Sequence, residues 1–507
     1  MEGLNANRYL VILALAAIVA AGIAVRGWHL DRECAYWDEV ASLQHLDAPN
    51  LGAFLRLERR DDPPMVPAYF ALEYCWAALS GGSVVAMRLL SLALATANIL
   101  LMYLLASTLY DAVAGLVAAL GFALSVTHVY YALEIRPYSL VMFLALISGY
   151  SLWRALQEER AHWRALNIAA NILLMWTHLF TVFFLFAQGV YLLARCVRRK
   201  TPGRLVRWAL WQAPSAALLL WWVMRLDMPK LEVAAAWREK LVHSYLMPLG
   251  DFLLFAGAGV PTFRDVAAFG GWNMGGILWR VSLPILLFSG VMTFRCWRMT
   301  RLDEQPRARK SVEAFWFLFP WLVLPTIALF LVSSQVYACH SSRYVMYGGI
   351  PFLALVGAAV SFTPGRIPRF LAVLFLAGLY GYNLYAHPGP WRHDFRHANV
   401  FLPSEMGPHE SLVVYHLADV TPMRFNWAWE GFPGDVRGAV SLQEAREFCT
   451  RPLESGDAPR LWLVLLLHEN PEPEIRALES ALHAHAKSVL KWQFGYVRPI
   501  LLYRIDR

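Results

Sequence analysis

Four groups of ionisable residues lie at the ends of long apolar runs. The first is Tyr36-Trp37-Asp38-Glu39, about a dozen residues beyond the first such run. A carboxylate among aromatics can act as a general base towards a hydroxyl; the same residues also suit a solvated acidic loop. The second is Arg59-Arg60-Asp61-Asp62-Pro63-Pro64, where the charges can rim a site or form a plain turn before a helix. The third packs His128, Tyr130, Tyr131, Glu134, Arg136 and Tyr138 between two apolar runs. A guanidinium there can clamp a phosphate through its planar fork, with Glu134 orienting it or a sugar hydroxyl. The alternative is an interfacial aromatic belt holding a local Glu–Arg pair. The fourth is His340, Arg343 and Tyr344 at the mouth of a late run, where Arg343 can also be a snorkelling anchor. A lone His178, between two runs, reads as structural.

The elements that must position these groups follow from composition. The chain has 507 residues, 58% hydrophobic and only 16% charged, with a mean hydropathy of +0.42. Soluble domains carry about 25% charged residues, so a disordered chain, a coiled coil and an ordinary cytosolic enzyme are excluded. The runs predict a multi-spanning membrane protein. Eleven spans are expected, at about 9–25, 84–108, 112–127, 138–153, 163–177, 179–197, 206–224, 277–297, 314–333, 344–362 and 370–386. The first is read as an anchor and not as a cleaved signal, because many spans follow. The segment 66–79, about 14 residues long, is short for a span and fits a surface helix.

Loops at 195–207, 295–310 and before 370 are rich in Lys and Arg and share one side in this count, which makes that side cytoplasmic. The loop 26–62 carries eight acids against five bases and lies outside. All four polar groups then face outward. The domain expectation is a membrane unit at 1–387, with a large first outer loop at 26–65, followed by an extracytoplasmic α/β domain at 388–507. In that domain Leu412–Tyr415 and Leu461–Leu467 read as strands, with Ile500–Tyr503 a further short apolar stretch. Helical patterns run around Leu442–Phe448 and Pro473–His485.

The net charge of +8 is a topology signal and not a nucleic-acid footprint. The six cysteines form no CxxC pair, and a disulfide among Cys34, Cys339 and Cys449 cannot be assigned from sequence. No GxGxxG or P-loop motif offers a nucleotide site.

The order Asp-Glu after the first span, then Pro-Pro, then Tyr-Tyr-x-Leu-Glu-x-Arg-x-Tyr, then Arg-Tyr before a late span, resembles the polyprenyl-phosphate-sugar-dependent glycosyltransferases of the GT-C class. It looks most like the family 39-like members related to protein O-mannosyltransferases and the lipid A aminoarabinose transferase. The resemblance implies an all-α GT-C-like membrane domain with a C-terminal α/β soluble domain, an outward-facing site and a lipid-phosphate-linked sugar donor. It implies that Asp38 is the catalytic carboxylate, and that Glu134 and Arg136 belong to the second outer motif. One departure stands out: relatives often carry His or Lys directly before Pro-Pro, and here that position is Asp62. Either Arg59 or Arg60 substitutes, or a divalent cation bridges Asp62 and phosphate; no dedicated metal site and no certain cofactor is expected.

The expected function is transfer of a sugar from an undecaprenyl-phosphate-like donor to a lipid, glycan or protein acceptor, with inversion, at the outer face of the inner (plasma) membrane. Asp38 and Glu39 are the expected catalytic pair. Arg136, Arg343, Glu134, Tyr138, Tyr131, Tyr344, Arg59, Arg60 and Asp62 are the expected donor contacts. The lipid bilayer is a partner and nucleic acid is not. The alternative is a lipid-linked-sugar transporter or flippase, which would place polar residues at mid-membrane.

Overall fold

The computed structural model describes residues 2–31, 35, 37–61, 65–224, 252, 255, 290, 294, 306–335, 342–386, 401–402, 404–406, 410–415, 436–439, 442–450, 460–466, 472–494 and 500–506. Among them, seven helical stretches are long and apolar enough to cross a membrane: Arg8–His29, Val84–Leu109, Tyr138–Glu158, Leu179–Arg199, Arg309–Ser334, Arg343–Ser361 and Arg366–Tyr385. The reading of a multi-pass membrane protein is met. The expected spans at 112–127, 163–177 and 206–224 are helices Ala112–Leu124, Ala161–Thr177 and Pro202–Val223. The one at 277–297 lies outside the described residues apart from Gly290 and Phe294, both helical. The expected surface helix is Pro67–Ser80: a proline opens it, and Gly81 at φ 83° ends it in the left-handed conformation.

The chain divides into two compact units, Met1–Gly27 with Ala48–His387, and Trp28–Asp47 with Pro388–Arg507. In the first unit the helices are α1 (Glu2–His29, to Gly27), α3 (Leu51–Asp61), α4 (Pro67–Ser80), α5 (Val84–Leu109), α6 (Ala112–Leu124), α7 (Val126–Tyr131), α8 (Tyr138–Glu158), α9 (Ala161–Thr177), α10 (Val182–Arg199), α11 (Pro202–Val223), α12 (Pro306–Gln335), α13 (Gly349–Ser361) and α14 (Arg366–Ala386). Short 3₁₀ turns, Leu179–Thr181 and Ser342–Gly348, lead into α10 and α13.

Helix α13 is the axis of this unit, and every one of its residues from Gly349 to Ser361 is buried. Small residues let it approach its neighbours, as membrane helix packing requires. A Cβ added at Gly357 would overlap the backbone carbonyl of Ala114 on α6, and one at Gly121 would come 2.8 Å from Leu353 Cδ2 on α13. Asp111 ties the same pair together. Its Oδ1 caps α6 by accepting from Ala114 N (3.0 Å), and its Oδ2 accepts from Ser361 Oγ (2.5 Å).

Four further helices are joined by uncharged polar side chains. Ser148 Oγ donates to Asn171 Oδ1 (2.5 Å) and accepts from Gln188 Nε2 (2.8 Å). Asn171 Nδ2 reaches Gln188 Oε1 (3.2 Å) and Gln212 Oε1 (3.1 Å), while Asn167 Nδ2 reaches Ser148 (3.1 Å). These groups bond to one another across α8 to α11, as side chains away from water must. At the basic end of α10, Glu313 of α12 pairs with Arg195 and, at 3.4 Å, with Arg199.

In the second unit a five-stranded sheet runs in the order β2-β1-β3-β5-β4. Its strands are β1 (Ser411–Tyr415), β2 (Val436–Ala439), β3 (Arg460–Leu466), β4 (Ser488–Phe494) and β5 (Ile500–Asp506). The first three are parallel; β5 runs antiparallel to β3, and β4 to β5. Helices Leu442–Thr450 and Glu472–His485 supply apolar residues to one face, around Leu463, Leu465 and Tyr503. Trp462, Val464 and Leu502 pack on the other face with Leu402. Trp462 Nε1 donates to Glu410 (2.6 Å), so the buried indole is satisfied.

The contact of α13 with α6 generates a prediction. Gly357→Ala places a methyl against backbone that cannot yield, and should cost about 1–3 kcal/mol of stability. Gly378→Ala on α14 meets nothing within 4 Å and should be neutral. Thermal unfolding in detergent measures both; equal behaviour of the two variants contradicts the close packing.

Candidate functional site

A fully buried arginine fixes the first of two polar turns. Helix α6 stops at Ser125, whose backbone is extended (φ −63°, ψ 122°), and α7 restarts at once. The carbonyls left open at the end of α6 are taken by Arg26 of α1. Its guanidinium donates to Ala123 O (2.8 Å), Phe122 O (3.2 Å) and Gly22 O (3.0 Å). The composition count placed Arg26 in the outer loop; the structure buries it completely inside the helix that precedes that loop. The sequence signal was present, since Arg26 directly follows an apolar run on the same helical face as Gly22.

Beyond α7 the chain turns through Ala132–Pro137 into α8. Polar side chains of α5 hold this turn: Ser91 Oγ donates to Glu134 O (2.7 Å), and Asn98 Nδ2 to Ser139 O (3.0 Å). Ser139 Oγ in turn donates to Tyr131 O (3.3 Å). Glu134 is buried, Arg136 is half-buried with its Cζ 5.7 Å from the Phe70 ring of α4, and Tyr131 and Tyr138 are buried 5.0 Å apart.

The second turn is the 3₁₀ segment before α13. Tyr347 OH donates to Phe180 O (2.9 Å), and the rings of Phe180 and Tyr344 stack at 4.9 Å. These ties bring Arg343 to the first turn. Its Cζ lies 5.8 Å from the Tyr138 ring and 5.4 Å from that of Tyr344. His178, at the break between α9 and the next 3₁₀ turn, joins them with its ring 5.0 Å from Tyr344 and 6.2 Å from Tyr138. Burial, then Arg343, then Arg136 push its pKa down to about 3. The Tyr131 hydroxyl is pushed well above its ordinary value, first by burial and then by Glu134. Arg136, Arg343, Glu134, Tyr131, Tyr138 and Tyr344 thus form one assembly with His178, which sequence reasoning had left as structural. The arrangement can hold an anion: two guanidiniums and phenolic donors stand in an apolar surround where charge is poorly screened.

Other expected residues lie elsewhere. Asp38 and Glu39 occupy the first turn of α2 (Trp37–Leu43), where the helix end favours carboxylates. Glu39 is buried and Asp38 half-buried, and both belong to the second compact unit. Arg59 ends α3 with its Cζ 4.8 Å from the Trp222 ring of α11, and Arg60 is exposed. Tyr36, Asp62, Pro63, Pro64, His340, Cys34 and Cys339 lie outside the described residues. No cluster of three metal-ligating side chains forms among the described residues.

His128 is a core residue. Its ring stacks on Phe122 at 4.1 Å, and a Cβ on Gly349 of α13 would come 3.1 Å from its Nε2. Burial and, second, Arg26 push its pKa down to about 3. The unfolded chain takes up that proton near the ordinary value of about 6.5. The folded state is therefore favoured above pH ~6.5 and loses this advantage as pH falls from ~6.5 towards 3. His128→Phe keeps the ring stack and removes the titration. Between pH 6.5 and 5 it should lose about 2 kcal/mol less stability than the parent, by unfolding in detergent. Identical pH slopes would contradict a neutral, buried His128.

No curated protein matches the chain. Similar solved structures include ArnT from Cupriavidus metallidurans in the apo state, at 11% identity over 98% of both chains with a TM-score of 0.43. The same protein bound to undecaprenyl phosphate matches at 13% identity over 97% of this chain and 98% of that one, TM-score 0.43. The Archaeoglobus fulgidus oligosaccharyltransferase tethered with an acceptor peptide matches at 11% identity over 90% of this chain and 69% of that one, TM-score 0.47. The family described as dolichyl-phosphate-mannose-protein mannosyltransferase matches residues 61–222, the stretch that carries Glu134, Arg136, Tyr138 and His178, and so the resemblance to lipid-phosphate-sugar glycosyltransferases read from the sequence is borne out.

Proposed function

We propose that the chain moves one sugar from an undecaprenyl-phosphate-like carrier to a lipid, glycan or protein acceptor at the extracytoplasmic face of the plasma membrane, with inversion. The observation that carries the reading is the meeting of Arg136 and Arg343, far apart in sequence, at one aromatic-walled assembly beside His178. In the proposed reaction the acceptor oxygen attacks the anomeric carbon as the bond to the phosphate oxygen breaks. The acceptor proton passes to Asp38, which Glu39 positions, and the carrier departs as a phosphate monoester. That departing charge needs fixed positive partners, and a guanidinium meets phosphate through two hydrogen bonds where Lys offers a point charge. Glu134, Tyr131, Tyr138 and Tyr344 orient the arginines or the sugar hydroxyls. Arg59 and Arg60 are secondary candidates for the carrier, together with Asp62 through a divalent cation.

A transporter without chemistry has less support. The polar side chains buried between α8 and α11 are uncharged and bonded to one another.

Transfer from a short-chain polyprenyl-phosphate sugar to acceptors in native membranes tests the reading. Asp38→Asn should lower turnover by about 100-fold or more with donor binding kept. Arg→Lys at 136 or 343 should weaken donor use, and Arg→Ala more so. If both serve one phosphate, the double variant should lose less than the sum of the singles. Near-normal turnover in Asp38→Asn removes it as the base, and additive arginine losses assign them separate roles. For the orientation, a cysteine at exposed Asp47 should react with a membrane-impermeant thiol reagent in intact cells, and one at exposed Gly203 should not. The reverse labelling inverts the topology.

A further inference from the structure

His178 stands at the centre of the assembly with its backbone locked. The residue is extended (φ −160°, ψ 126°) where α9 ends. Its N–H donates to Leu174 O (3.0 Å), and its carbonyl accepts from Thr181 N (3.1 Å) and Thr181 Oγ1 (2.7 Å). The ring is half-buried among Tyr344, Phe180 and Tyr138, at 5.0, 5.8 and 6.2 Å. Its nitrogens take no hydrogen-bond partner among the described residues, whereas His485 uses Nδ1 on Ala481 O at 2.8 Å. A neutral imidazole carries one N–H donor, and a rigid, unspent donor beside two guanidiniums favours an anion.

We propose that His178 is a third hydrogen-bond donor to the carrier phosphate, acting on the oxygen released when the sugar leaves. The inference rests on the reading that Arg136 and Arg343 hold that phosphate. The donor is a phosphodiester with two non-bridging oxygens, which two planar guanidiniums can cover. Cleavage of the bond from the anomeric carbon leaves its electron pair on a third terminal oxygen, and the carrier becomes a monoester. An uncharged N–H can meet that oxygen without adding a third like charge to the site. No proton is transferred from His178 in this step. Its contribution therefore appears with the monoester and in bond breaking, and hardly with the intact diester.

Binding of farnesyl phosphate and of a farnesyl-phosphate sugar to the purified full chain in detergent tests this without an acceptor. His178→Phe keeps a ring among the three aromatics and removes the donor. It should weaken farnesyl phosphate binding about tenfold, the worth of one hydrogen bond to an ion, and the diester by less than about twofold. His178→Gln restores a donor at the expense of ring packing and should recover most of the monoester affinity. A purely structural ring gives the opposite order, with Phe tolerated and Gln impaired, and that order overturns the proposal. Equal weakening of monoester and diester in His178→Phe also overturns it. Arg343→Ala, measured in parallel, separates the two layers. If it weakens farnesyl phosphate binding while His178→Phe does not, only the histidine role fails. If it too leaves binding unchanged, the arginine reading fails and this inference with it.

Discussion

The candidate site depends on a charge buried in a place where charge is expensive. Arg26 sits at the end of an apolar helix with its guanidinium spent on three carbonyl oxygens. Two of them, Phe122 O and Ala123 O, are left open because α6 stops at Ser125, and without a donor they would stay unsatisfied away from water. The arginine and the helix break therefore need each other. The break lets α7 start in a new direction, and α7 carries Tyr130 and Tyr131 into the turn where Glu134 and Arg136 stand. An uninterrupted helix from α6 would have carried these residues along one line and left no turn to hold an anion.

A second constraint acts through α13. Its glycines and alanines let it pack closely, with Gly357 on the backbone of α6 and Gly349 against the ring of His128. Because the helix cannot shift, the 3₁₀ turn before it cannot either, and Tyr347 pins that turn to Phe180. Arg343 inherits its place from this packing. The two arginines thus reach one point by different routes, one through a helix break and the other through a packed helix start.

The membrane architecture was legible because apolar runs separated by basic loops leave few alternatives, and the short helix Pro67–Ser80 was read from its length and prolines. Arg136 and Arg343 were legible as outliers among apolar neighbours. What could not be read was their partner. His178 is one polar residue between two spans, and nothing in its spacing shows that Phe180 and Tyr344 would stack and draw Arg343 to it. Arg26 was miscounted because a loop boundary was set by composition, while the helix continues past it. In the soluble unit β1, β3 and β5 announce themselves as apolar runs. Strand β4, Ser488–Phe494, escaped because it is an edge strand carrying Lys491 and Gln493, which covers its exposed side and hides the strand pattern.

The border between the compact units adds a last constraint. Residues 28–47, with Asp38 and Glu39 at the start of their helix, cluster with the C-terminal unit and not with the spans that flank them in sequence. Residues 134–138 and 343–344 belong to the membrane unit. The proposed base and the proposed phosphate partners are therefore carried by separate compact units.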